Sequence, residues 1–415
     1  MTESIAKSAI KLKLRGAADE FAELALPPIT AMLLWNAMYF LALGVSFPYF
    51  PLVLEEGGLT PSQIGLSFTL SNIMSGIFSY YMGRLSDRVG RLKTLISMTL
   101  LATASYMLLS MVRDPISTIV MFTLLMMGGG AANTAFTAYS LDVLEHGGHS
   151  RGGGFGKIRI GGSIGWVPGT FLGGALVSAL GFRAVFLVSS VIVCLSVLTC
   201  YGLRESRRAR INRGAVNSSL SLLRGAPGVL LLISTLSFVV LSSNMSFLSL
   251  HMINTLNTTP LAVSTAFAIM GLSEIPAMIY LGRLSDRVGR RPILLLCLAG
   301  FPLRQAITGL SGDTLVVILA QVLNGLTYGG LFVVSIAYAS EIVPENMRGA
   351  YMGLYGATFS MGGVIGGYLW GSLAEATSYA IMFQYSALVS LAPLALAFLT
   401  LRIRRLETCP PLSEP

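Results

Sequence analysis

Apolar residues run along this chain in long blocks, each followed by a short polar break. A helix that crosses a bilayer needs about 20 mostly apolar residues. Twelve blocks meet that length: 28–54, 61–83, 92–112, 115–143, 157–180 and 182–203, then 226–253, 260–282, 292–310, 313–342, 349–375 and 378–402. Proline opens several of them, at Pro61, Pro115, Pro260 and Pro292, a position where its missing N–H has no helical partner to lose. The pattern predicts an all-α membrane protein of twelve transmembrane helices in two six-helix bundles.

Composition agrees: 53% of residues are hydrophobic and only 11% charged, against roughly 25% charged in a soluble domain. The net charge of +9 would suit nucleic acid in a soluble protein. Its distribution excludes that partner. If the N-terminus is cytoplasmic, 25 of the 28 lysines and arginines fall on the cytoplasmic side or its helix ends. Arg113, Arg183 and Arg304 are the exceptions. This is the positive-inside asymmetry, and it predicts a plasma (inner) membrane protein with both termini cytoplasmic.

The basic stretch around Lys7, Lys11, Lys13 and Arg15 has no compact apolar core or cleavage site, so it does not read as a signal peptide. Cys194, Cys200, Cys297 and Cys409, with His146, His149 and His251, have no metal-ligand or disulfide-framework spacing. No metal and no cofactor is expected. The domain reading is a cytoplasmic tail 1–27, a bundle 28–203, a linker 204–225, a second bundle 226–402 and a tail 403–415.

The two bundles repeat one another. Gly83-Arg84-Leu85-Ser86-Asp87-Arg88-Val89-Gly90-Arg91 recurs letter for letter from Gly282 to Arg290, 199 residues on. The same offset carries Tyr139 onto Tyr338 and Asp142 onto Glu341. Parallel repeats of this kind are a transporter architecture, with the solute site between the halves near mid-membrane. The duplicated G-x-x-x-D-R-x-G-R, followed by Arg291 in the second copy and Leu92 in the first, resembles the signature of the major facilitator superfamily, over about 28–402. The resemblance implies alternating access by rocking of the halves and leaves the solute open. Glycine permits the tight turn. Asp87 and Asp286 can accept hydrogen bonds from a neighbouring helix N-terminus, while Arg88, Arg91, Arg287 and Arg290 hold the loops in the cytoplasm. These residues, with Asp142, Glu341 and Arg348, are the expected cytoplasmic gate; topogenic charge alone would not need the aspartates. Glu341 with Arg348 resembles the inner-face acid–arginine pairs of sugar porters.

Charge inside a membrane is costly and points to function. Glu274 lies about 12 Å from the cytoplasmic end of helix 8 and Arg304 about 18 Å into helix 9, at 1.5 Å per residue. A carboxylate balanced between burial and an arginine can take up and release protons as that partner moves; a static buried pair is the plainer reading. On helix 5, Arg159 and Trp166 are seven apart and face the same way, which suits a hydroxyl-rich or carboxylated ring held by a guanidinium and an indole.

The run Phe155-Gly156-Lys157-Ile158-Arg159-Ile160-Gly161-Gly162-Ser163-Ile164-Gly165-Trp166, with Glu274 and Arg304, is similar to the lactose permease, phenylpropionate and nucleoside symporter branch. That resemblance implies solute binding or proton coupling for Arg159, Trp166, Glu274 and Arg304. Helix 10 departs from it: between Asp313 and Glu341 the polar members are Gln321, Asn324 and Tyr328, with no charge or histidine. Helix 1 offers Asn36 and Tyr39 in place of an acid. A second pattern, Gly165-x3-Gly169-x3-Gly173-Gly174, approximates the antiporter motif of drug exporters, with Pro168 displaced from the motif's proline position.

The expected function is proton-coupled symport of a small polar organic solute (sugar, glycoside, nucleoside or aromatic acid) by a carrier expected to be monomeric in the bilayer. Proton-driven efflux of sugars or drugs is the alternative, and a transport-dead receptor or scaffold a third class. No nucleophile–base set or nucleotide loop suggests an enzyme.

Overall fold

A computed structural model describes residues 26–146, 151–205 and 222–401. The expectations for the two tails and most of the linker fall outside those residues. Every element is helical, and twelve helical segments follow in order: α1 Pro28–Glu56, α2 Pro61–Val89, α3 Arg91–Met111, α4 Pro115–His146, α5 Arg151–Leu180, α6 Phe182–Leu198, α7 Gly225–Thr255, α8 Pro260–Val288, α9 Arg290–Leu310, α10 Thr314–Ile342, α11 Arg348–Ala376 and α12 Tyr379–Thr400. Nine of these are long and apolar enough to cross a bilayer by themselves.

The repeated motif is mostly helix rather than loop. α2 and α8 continue to Val89 and Val288, and each then turns on a single glycine, Gly90 (φ 124°) and Gly289 (φ 101°). Only glycine adopts such angles without steric cost. α5 likewise starts at Arg151, six residues earlier than its apolar block. Three helices are locally rewound. α1 tightens to a 3-10 turn at Phe47–Tyr49 around Pro48 and ahead of Pro51, α7 ends in a π turn at His251–Thr255, and α10 widens to a π turn at Gly325–Gly330.

Within the first half α5 packs along α1; within the second, α11 packs along α7. The glycine pattern of α5 explains the first contact. A Cβ on Gly161, Gly165, Gly169 or Gly173 would collide with the carbonyl oxygens of Leu33, Ala37, Leu41 and Val45 respectively. Both series step by four residues, so the helices run backbone against backbone in fixed register.

The halves meet through α2 with α11 and α5 with α8. At the end away from the repeated motif they are bonded together. Tyr49 donates its hydroxyl to the Pro260 carbonyl at 2.9 Å, Ser249 bonds the Pro48 carbonyl, and Ser264 bonds the Thr170 carbonyl at 2.6 Å. Glu375 accepts the Thr60 hydroxyl at 2.7 Å and the Ser62 N–H at 2.9 Å, which places an anion on the N-terminus of α2. Gly65 of α2 touches the backbone of Gly367 and Gly371 of α11. Toward the motif end the same helices part: positions corresponding to a Cβ on Gly76, Gly349, Gly353 and Gly356 meet nothing within 4 Å. The molecule is closed at one end and open at the motif end.

Candidate functional site

The wide turn of α10 organises the middle of the second half. A π turn rotates the residues that follow it and is frequent at functional sites. Beside it, Gln321 and Asn324, which precede the turn, and Thr327, which lies within it, surround one guanidinium. Arg304 of α9 is 1% exposed. Its Nε and Nη2 donate to Gln321 Oε1 at 3.2 and 2.8 Å, and its Nη1 donates to Asn324 Oδ1 at 2.8 Å and Thr327 Oγ1 at 3.4 Å. All of these acceptors are neutral. The adjacent Gln305 ties α9 to α7 and α12 through Asn244, Ser243 and Ser386, so Arg304 cannot move without its helix.

Glu274 of α8 is joined to this cluster through one side chain. Asn324 Nδ2 donates to Glu274 Oε1 at 2.7 Å and to the Met270 carbonyl at 3.3 Å. The direct arginine–carboxylate contact anticipated from helix depth is thus replaced by a relay, Glu274 to Asn324 to Arg304. Asn324 presents its amide to the acid and its oxygen to the guanidinium, using both ends of a group that is donor and acceptor at once.

Arg159, from the first half, is exposed on α5, and its guanidinium lies 5.7 Å from the ring centroid of Phe332 on α10, within cation–π range. It stands within electrostatic reach of Glu274 and Tyr328. Tyr328 itself belongs to an aromatic group with Phe238, Phe332 and Phe359, at centroid separations of 6.4, 6.3 and 6.3 Å.

Trp166 points at the second half as well, but its polar edge is committed. Its indole N–H donates to the Phe267 carbonyl of α8 at 3.1 Å, and its ring packs with Phe47 and beside Gly271. It therefore roofs the middle of the molecule on the closed side. Asn36 and Tyr39 are both buried. Asn36 donates to the carbonyls of Ile158 and Arg159, each at 3.3 Å, so it steadies the backbone that carries Arg159. Tyr39 stacks on Trp35 at 5.0 Å.

The residues expected at the cytoplasmic gate include two matching triads. Arg91 pairs with Asp87 at 3.2 Å and with Asp142. Arg290 pairs with Asp286 at 2.5 Å and Glu341 at 2.9 Å. The offset of 199 maps each member onto its counterpart. The aspartates bond their own arginine rather than a helix N-terminus; Glu205 takes that place on α3, accepting the N–H of Leu92 at 2.9 Å and of Lys93 at 3.2 Å. Arg348 does not bond Glu341. It donates to the Ser340 carbonyl at 2.7 Å and lies 3.4 Å from Glu345. Arg88 and Arg287 are exposed at the ends of α2 and α8.

Sequence reasoning missed Thr327, Phe238, Phe332 and Phe359, and also Glu205, Glu55 and Glu375. The glycine-rich run Gly325–Gly330 was the available signal for the wide turn. The repeat offset itself was the signal for Glu55, since it aligns this residue with its partner Asn254.

The profile of the MFS_1 like family matches residues 32–385. The chain belongs to this family of the major facilitator superfamily. It is an integral, multi-pass membrane transporter and not an enzyme. Sugar efflux transporter A of Dickeya chrysanthemi is 28% identical over 330 residues, 78% of this chain and 83% of that protein. The maltose permease of Geobacillus stearothermophilus is 26% identical over 352 residues, 82% and 87% of the two chains. A crystal structure of a variant of the nucleoside transporter NupG superposes with a TM-score of 0.78 at 14% identity, covering 90% of this chain and all of that one. A bacterial homolog of the human lysosomal transporter Spinster, in an inward-facing and occupied conformation, gives 0.74 at 14% identity over 90% and 96% of the chains. At such identity these structures share the fold.

Proposed function

We propose that this transporter carries a small polar organic solute into the cell together with protons, and that Glu274 is the proton-carrying group. The observation that supports this most is the relay. Glu274 is the carboxylate at the middle of the second half, and a single amide links it to a fully buried guanidinium. When Glu274 takes a proton, Asn324 loses an ionised acceptor and the attraction between α8 and Arg304 weakens. Loss of the proton restores both. Protonation thus changes how α8 is held against α9 and α10, while Arg159 and Tyr328 stand where a solute enters between the halves. Gln321 and Asn324 set the position of Arg304.

In this reading the motif end faces the cytoplasm, the protein works as a monomer in the plasma (inner) membrane, and 28–203 and 226–402 rock as two bodies. The two acid–arginine triads at the motif end exchange their internal partners for contacts across the halves when that end closes. Arg88, Arg287 and Arg348 belong to the same gate.

Proton-driven efflux of sugars is the second reading, favoured by the similarity to sugar efflux transporter A. Reconstituted vesicles separate the two. Under symport, a proton gradient directed into right-side-out vesicles accumulates labelled solute; under efflux it drives solute out. In Glu274→Gln, symport through this residue predicts loss of gradient-driven accumulation with solute exchange retained. Normal accumulation in that variant would falsify the assignment.

A further inference from the structure

The charges at the centre of the molecule do not balance. Glu274 stands within electrostatic reach of two arginines, Arg159 and Arg304. When Glu274 is ionised, two guanidiniums face one carboxylate; when it is protonated, they face none. Arg304 is sealed behind Gln321, Asn324 and Thr327, whose neutral oxygens satisfy it. Arg159 has no such shell. It is exposed, its backbone is fixed by Asn36, and its one described side-chain contact is the face of Phe332. While the motif end is open, water solvates it. When the halves close, that water is displaced, and an unpaired cation in a low-dielectric interior is expensive.

The surface beside Arg159 is aromatic. Phe332 leads to Tyr328, Phe359, Phe238 and Tyr355 through ring separations of 5.2 to 6.4 Å in edge-on or tilted arrangements. Phe359 is 45% exposed. Trp166, the other large ring in the region, already has its N–H bonded across the halves. A ring-bearing solute therefore finds its stacking partners on α10 and α11 and not on α5.

We infer that the solute is an organic anion built from a flat ring and a carboxylate, whose acid pairs with Arg159 while its ring lies on Phe332, Tyr328 and Phe359. The inference rests on the transport reading, because the charge surplus matters most in a site that closes around its ligand. It also narrows that reading, since neutral sugars supply no counter-charge.

Matched probes test it on the purified full-length chain. Phenylacetate and indole-3-acetate are compared with phenylacetamide and indole-3-acetamide, and with maltose, by thermal shift and by binding titration. The acids are expected to bind at least tenfold tighter than their amides. That gap should collapse in Arg159→Gln and survive in Arg159→Lys. Phe359→Ala should weaken acid and amide alike, leaving their ratio unchanged. Size-exclusion profiles establish that each variant is folded, and the lysine variant keeps the test valid if the glutamine variant is not. Equal binding of acid and amide overturns the inference. So does binding of maltose in preference to the acids, no binding by any probe, or an undiminished acid preference in folded Arg159→Gln. Counterflow of labelled phenylacetate in vesicles separates the two levels. Acid-selective binding without flux supports the site and refutes the transport reading, whereas flux of maltose alone supports transport and refutes the site.

Discussion

Glu55 bonds its own counterpart. Its carboxylate accepts the side-chain N–H of Asn254 at 2.6 Å, and the two residues are separated by 199 positions, the offset of the repeat. Glu55 also accepts the Tyr379 hydroxyl at 3.3 Å. A contact between equivalent positions lies on the pseudo-twofold axis. Opening of this end must break it. Glu55→Ala is expected to shift the balance toward the form open at this end by roughly 5- to 10-fold, as a hydrogen bond to a charged group contributes about 1–1.5 kcal/mol when partly exposed. Spin labels across each end, read by double electron–electron resonance, measure the shift. An unchanged distance distribution would remove the contact from the gate.

Glu375 holds the same end by another means. It places a carboxylate on the first turn of α2 from the opposite half. Glu375→Gln keeps the size but removes the charge, so the closed end should be weakened slightly and the effect should shrink as salt is raised. The same labels read this in low and high salt. An effect independent of salt would show that packing, and not charge at the helix end, is involved.

The α1–α5 seam leaves no room for a side chain. Gly165→Leu is expected to cost more than the 1–3 kcal/mol usual for overpacking, because its Cβ meets the Ala37 backbone rather than a side chain. Gly76→Ala, with open space around its Cβ, is the control and should leave the melting midpoint within one or two degrees. Thermal unfolding in detergent checks both. A tolerated leucine at 165 would mean that the two helices can separate.

Asn324 is the joint between acid and guanidinium. Asn324→Leu strips one acceptor from Arg304 and the one described side-chain donor from Glu274. A loss of about 3 kcal/mol is expected, the scale for breaking a buried charged network, together with loss of proton-driven accumulation. Asn324→Gln, which keeps both polar ends on a longer stem, should recover part of each. Full coupling in a folded leucine variant would show that Glu274 works without the relay.

The helices, the repeat and the three central charges were legible in the sequence because each is a local pattern. An apolar block of sufficient length, a nine-residue identity and a charge inside such a block need no knowledge of neighbours. The partners of those charges were not legible. Asn324 reaches both Glu274 and Arg304 from just before the wide turn Gly325–Gly330, and a helical period does not say which polar side chains of three helices meet. The seven-residue spacing put Arg159 and Trp166 on one face of the helix but could not say that a backbone carbonyl, Phe267, would occupy the indole N–H. Of the α5 glycines whose spacing approximates an exporter motif, Gly165, Gly169 and Gly173 are accounted for by the close approach to α1 and Gly174 by the contact with α8. Glu55 with Asn254 was within reach, since the offset that aligns the two motifs also aligns these residues.

The glycines of α11 divide into those that are used and those that are idle. Gly367 and Gly371 lie against α2, while nothing stands where a side chain would begin on Gly349, Gly353 and Gly356. In the conformation described, an alanine or serine would fit at any of the latter three. Under the proposed rocking of the halves, that bareness is put to use when the motif end shuts and α2 swings toward them. A single frame of the transport cycle therefore carries an imprint of the other: vacant flank on one stretch of a helix marks where its neighbour comes to rest half a cycle later. Bulk added there should be silent in stability and felt only in turnover.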